Sequence, residues 1–66
     1  MKNRLKVLRA ERNITQEELA KLSGLSRFTV NAVENEAVSP SGETIKKLAH
    51  ALKVSPSDIF FDLNVV

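Results

Sequence analysis

A chain of 66 residues and 7.3 kDa is one small domain that cannot bury a large core, so it must fold through well-packed helices, a partner chain, or both. Its 42% hydrophobic and 27% charged residues mark a globular protein, and the lack of cysteine excludes a disulfide framework, a thiolate zinc site and cysteine catalysis. The net charge is only +2, yet Lys2, Arg4, Lys6, Arg9 and Arg12 crowd the start of the chain against Glu11 alone, a cluster that suits either a nucleic-acid surface or a solvated helix face.

Apolar runs are too short to span a membrane, and Met-Lys-Asn-Arg with no apolar stretch behind it predicts no signal peptide, hence a cytoplasmic protein. No internal repeat, linker or low-complexity segment interrupts the chain.

The punctuation predicts five helical units. Asn3 is the N-cap expected for the first, Leu5 and Leu8 are its apolar residues, and Asn13 suits the left-handed position that ends it. Thr15 caps the second, with Thr15-Gln16-Glu17-Glu18 reading as a capping box; Leu19, Ala20 and Leu22 form its expected inward stripe, and Gly24 breaks it. Ser26 caps the third, from Arg27 to about Asn35, with Val30 and Val33 inward. After Ser39-Pro40-Ser41-Gly42, the spacing of Ile45, Leu48, Ala49 and Leu52 predicts an amphipathic fourth helix. Ser55-Pro56-Ser57-Asp58 opens the fifth, with Ile59 and Phe60 inside it. Phe61, Leu63 and Val65 then alternate with Asp62 and Asn64, which predicts a strand, and Met1 to Asn3 is its expected partner edge.

No catalytic constellation is present. His50 is the only histidine and falls on the wet side of the fourth helix, so a metal site lacks its other ligands. Glu17 and Glu18 are explained by capping and by the helix dipole. Lys46 and Lys47 read as a solvated face.

The informative stretch is Gln16 to Asn35. Two short helices meet across a turn at Gly24, Ala20 is small where they must cross, and a side chain at Gly24 is expected to obstruct the turn. Val30 and Val33 anchor the second helix while its opposite face stays polar. That is the pattern of a helix-turn-helix unit over residues 16–35, whose second helix enters the DNA major groove.

Thr15-Gln16-Glu17-Glu18-Leu19-Ala20, Gly24-Leu25-Ser26-Arg27 and Thr29-Val30-Asn31-Ala32-Val33-Glu34-Asn35 resemble the Cro/CI-type (XRE-like) helix-turn-helix family. The similarity runs on through Pro40-Ser41, Leu48-Ala49, Val54-Ser55 and Asp58-Ile59-Phe60, and is closest to small regulators of the cytolysin-repressor kind. The resemblance implies an all-α, compact five-helix domain of the lambda-repressor kind over residues 1–66, with a short two-stranded extension joining the termini. It implies a sequence-specific DNA-binding transcriptional regulator, a repressor acting as a homodimer on a near-palindromic operator. It implies no enzyme activity, cofactor, metal or small-molecule ligand.

Carried over by position, Gln16 and Thr29 match phosphate contacts, and Ser26, Arg27, Phe28, Asn31, Ala32 and Asn35 match the outward face of the recognition helix. Arg27 is the best base reader, since its fork pairs with guanine O6 and N7; Ala32 offers a methyl contact only. Arg9 and Glu34 match an interhelical ion pair. The dimer surface is expected to draw on Phe60, Phe61, Leu63 and Val65.

The chain departs from the family at Phe28, where glutamine is common, at Glu36, where glycine usually follows Asn35, and at Gly42, where a core leucine is common. Phe28 cannot hydrogen-bond a base edge but can touch a thymine methyl; a protein contact or a core position are its other readings. A positive φ at Glu36 is strained, and its carboxylate repels phosphate. The rival reading is a protein-interaction module, such as an antitoxin-type or adaptor helix-turn-helix protein. The loop Ala37-Val38-Ser39 leans that way; Arg27 and Gln16 lean to DNA.

Overall fold

The computed structural model describes residues 2–61, and among these it shows five helices: α1 (Leu5–Glu11), α2 (Gln16–Ser23), α3 (Arg27–Glu34), α4 (Gly42–Leu52) and α5 (Pro56–Ile59). Each starts where a polar side chain can take up a free backbone N–H. Thr15 accepts from the Glu18 amide at 3.0 Å while Glu18 accepts from the Thr15 amide at 2.9 Å, completing the expected capping box. Ser26 and Ser41 accept from the amides of Thr29 and Thr44. Pro56 occupies the first turn of α5, and Asp58 accepts from the Ser55 amide.

At α1 the cap differs by one residue from the expectation. Arg4 holds the cap position, but the Asn3 side-chain oxygen still accepts from the Leu5 amide at 3.0 Å. The Asn3 amide nitrogen donates to the Val33 carbonyl at 2.9 Å, so one side chain ties the start of α1 to the end of α3.

Four of the helix ends close in the left-handed region, that of α3 at Glu36. Asn13 (φ 55°) follows α1 as predicted, Gly24 (φ 73°) ends α2, and Lys53 (φ 57°) ends α4. At Gly24 the physical reason is corrected. A Cβ built there meets nothing within 4 Å, so backbone angle rather than crowding calls for glycine. Glu36 adopts φ 59°, the strained conformation its sequence context predicts.

The core is drawn from every helix: Leu5 and Leu8, Leu19 and Ala20, Val30 and Val33, Ile45, Leu48, Ala49 and Leu52, and Ile59. α2 packs on both α3 and α4, and α4 packs on α5. A fully buried Leu, Ile or Val stabilises by about 1.5–3 kcal/mol relative to exposure, so these few side chains supply the main apolar driving force in a chain that has no cysteine to form a disulfide. Leu22 does not join them. It is 60% exposed, because the stripe of so short a helix is filled by Leu19, Ala20 and Ser23. His50 is exposed, as its face of α4 predicts.

Phe60 lies beyond α5 rather than inside it, with extended backbone, and it is only 1% exposed. It forms a single antiparallel bridge with Asn3, flanked by the bonds from the Arg4 amide to the Ile59 carbonyl (2.8 Å) and from the Phe61 amide to the Lys2 carbonyl (3.4 Å). The two ends of the described chain thus meet, but as one bridge and not as a strand pair. Leu63 and Val65 lie outside the described residues.

Candidate nucleic-acid interface

α3 presents two faces. Val30, Val33 and Glu34 are buried against the other helices. Arg27, Phe28 and Asn31 are exposed on the opposite side, with Ser26 before the helix and Asn35 at its end, while Thr29 and Ala32 are half-buried at the margin. Phe28 is 81% exposed, which removes the core reading for it.

The two predicted phosphate-contact side chains are both engaged within the protein. Thr29 Oγ1 lies 2.9 Å from Ser26 Oγ at the start of α3. Gln16, in the first turn of α2, is half-buried and bonded at both ends of its amide. Its Nε2 donates to Glu34 Oε1 at 3.0 Å, and its Oε1 accepts from Asn31 Nδ2 at 3.2 Å. Asn35 Nδ2 then donates to Asn31 Oδ1 at 3.1 Å. Arg27 lines an open cleft together with Arg9, Asn13, Thr15, Gln16 and Glu17.

Beneath this surface, Arg9 and Glu34 pair as predicted. Nε donates to Oε2 at 2.6 Å and Nη2 to Oε1 at 3.2 Å, a two-pronged contact between α1 and α3. The Glu34 side chain is fully buried, while that of Arg9 is 17% exposed. Arg9 Nη1 also donates to the Ile14 carbonyl at 2.9 Å, so the guanidinium ties the α1–α2 turn to α3. Burial pushes the Glu34 carboxyl up, but the hydrogen bonds from Arg9 and Gln16, with the charges of Arg9 and Lys6, outweigh it and hold the group below its ordinary range. The Glu34 hydrogen bond holds the Arg9 guanidinium above its ordinary value.

The linkage of Gln16, Asn31 and Asn35 is what reading the sequence missed. Asn31 and Asn35 lie one helical turn apart, so their pairing could have been anticipated. Gln16 and Glu34 are distant in the chain, and only the crossing of α2 and α3 brings them together.

Residues 5–59 match the model of the helix-turn-helix family, and the chain belongs to that family of DNA-binding transcriptional regulators, in its Cro/CI-type branch. It is a regulator by family, not an enzyme. It is 47% identical over 60 residues to the uncharacterized HTH-type transcriptional regulator MJ0272 of Methanocaldococcus jannaschii, with 91% of each chain covered. Among solved structures it is similar to the restriction-modification controller protein C.AhdI of Aeromonas hydrophila (44% identity, TM-score 0.82, 86% of each chain covered). It is also similar to the P22 c2 repressor protein, solved in complex with a synthetic operator (31% identity, TM-score 0.77, 82% of each chain covered). Among the described residues no helix is long and apolar enough to cross a membrane.

Proposed function

We propose that this chain is a transcriptional repressor that binds double-stranded DNA as a homodimer, with the 66 residues acting as one helix-turn-helix domain. α3 lies in the major groove, and the two copies of α3 stand about one DNA turn (~34 Å) apart on a near-palindromic operator. The observation that carries this reading is the division of α3, which buries Val30, Val33 and Glu34 and leaves Arg27, Phe28, Asn31 and Asn35 facing outward beside the N-terminus of α2. The likeness to a repressor solved on its operator supports it.

In this reading Arg27 takes guanine O6 and N7, Phe28 and Ala32 touch thymine methyl groups, and Asn31 and Asn35 hydrogen-bond to bases or phosphates. Ser26, Thr29 and the start of α2 at Gln16 approach the phosphates, where free helix N–H groups suit an anion. The second copy packs near the joined chain ends. Phe60 is excluded from that surface because it is buried in its own protomer, whereas Phe61 is half exposed beside the Asn3–Phe60 bridge. Leu63 and Val65 complete the dimer surface in this proposal.

The test is a salt series of binding to sites selected from random DNA. Arg27→Ala is expected to lower affinity for selected sites by about 1–3 kcal/mol and to relax one base preference. Equal binding by both proteins removes Arg27 from base reading. Truncation after Phe61 is expected to weaken dimerisation in sedimentation; an unchanged oligomer refutes the role of the tail.

A further inference from the structure

We infer that the buried carboxylate of Glu34 sets which way Asn31 presents its amide to DNA, acting through Gln16, so that Glu34 and Gln16 are positioning residues for base discrimination. The inference rests on α3 being the base-reading helix, but its first test needs no DNA.

A carboxylate can only accept hydrogen bonds. Glu34 Oε2 takes Arg9 Nε, and Oε1 takes both Arg9 Nη2 and Gln16 Nε2. With Gln16 flipped, its oxygen would face the carboxylate at 3.0 Å, acceptor against acceptor, so its nitrogen must point inward. Its oxygen is thereby turned to Asn31, which must offer its own nitrogen, at 3.2 Å. The Asn31 oxygen is turned in the same way to Asn35, whose nitrogen donates at 3.1 Å. Each step leaves a single choice. The bonds run donor to acceptor in one direction, from the outward face of α3 into a fully buried anion, and each polarises the next.

So held, Asn31 keeps one N–H and one oxygen lone pair for an outside partner. The major-groove edge of adenine, an N7 acceptor beside an N6 donor, requires that pair of groups from an asparagine amide. An unrestrained exposed asparagine samples both orientations and loses that freedom on binding; here most of the ordering cost is met within the folded protein. Gln16 therefore does more than stand near a phosphate, and its removal changes which base is preferred.

Two variants separate these roles while leaving the Arg9–Glu34 pair in place. Gln16→Met removes both ends of the relay. Gln16→Lys keeps a donor toward Glu34 and adds attraction to phosphate, but offers Asn31 no acceptor. In the ¹⁵N-labelled free protein, the Asn31 and Asn35 side-chain amide resonances are expected to stand apart from solvated values. They should move to those values in both variants while the backbone resonances of the core stay in place. Side-chain resonances that do not move overturn the inference.

On selected DNA, the position read by Asn31 is the one whose preference Asn31→Ala abolishes. Wild type is expected to favour adenine there by roughly tenfold or more, and both Gln16 variants by less than about threefold, against the range for a two-bond contact. Gln16→Lys should keep or gain affinity for every site. Full adenine discrimination in Gln16→Lys, or a uniform loss with an unchanged ratio in Gln16→Met, overturns the inference. A wild-type protein with no sequence preference counts against the proposed function instead, and the amide resonances then decide the relay alone.

Discussion

Arg9→Met removes the guanidinium, keeps much of the side-chain volume, and leaves the Glu34 carboxylate fully buried with Gln16 Nε2 as its remaining side-chain donor. Breaking a buried pair by removing one partner costs about 3–5 kcal/mol. Arg9→Met should lie near the top of that range, because Glu34 has no route to water and Arg9 also loses its bond to the Ile14 carbonyl. Glu34→Met should cost less, about 2–3 kcal/mol, since the stranded guanidinium is 17% exposed and can turn toward solvent. Replacing both ions by methionine should lie within about 1–2 kcal/mol of wild type, because the desolvation of two charges is recovered along with the loss of their attraction. A domain of this size has on the order of 3–10 kcal/mol in total, so Arg9→Met should approach unfolding at room temperature. Urea denaturation followed by circular dichroism measures all four proteins, with a common slope confirming a common unfolding reaction. A double variant less stable than either single variant, or Arg9→Met costing less than about 1 kcal/mol, would refute the view of Glu34 as a buried charge that depends on Arg9.

Three further outcomes follow from local geometry. Gly24→Ala should cost about 1–2 kcal/mol from its positive φ alone, and Glu36→Gly should relieve a similar strain less an entropic offset, leaving a gain of a few tenths; thermal midpoints moving in the opposite directions would contradict this. Glu34, Glu18 and Asp58 are all held below their ordinary values, Glu34 by its partners against burial, Glu18 by Thr15 and Asp58 by Ser55. Their contribution is therefore complete above the unfolded-state values, and lost as pH falls through the lower folded ones. The urea midpoint should be nearly flat from neutral to about pH 5 and decline below it, and a rise on acidification would be inconsistent. Replacing thymine by deoxyuridine at the base under Phe28 should weaken binding about fourfold, the equivalent of one methyl at ~0.8 kcal/mol, and Phe28→Ala should remove that sensitivity; equal loss in both proteins would assign the methyl contact elsewhere.

The helices, their caps and the division of α3 were legible in the chain because they rest on local rules. Thr15 with Glu18, Ser26, Ser55 with Asp58, and the spacing of Ile45, Leu48, Ala49 and Leu52 each act within a turn or two of backbone, where sequence separation and spatial separation agree. The same periodicity misplaced Leu22, because it states which residues share a face but not how wide a strip the neighbouring helices cover. It also counted Phe60 as helical and then as a dimer contact, whereas burial against its own protomer and a bridge to Asn3 decide its place. The Arg9–Glu34 pair was visible only through resemblance to a family, and of the chain of amides only the Asn31–Asn35 step, one helical turn long, lay within reach of the sequence; the links from Glu34 through Gln16 to Asn31 did not. A hydrogen bond depends on tenths of an ångström and on direction, and between α2 and α3 both are set by how the helices cross, a quantity that no stretch of sequence specifies alone.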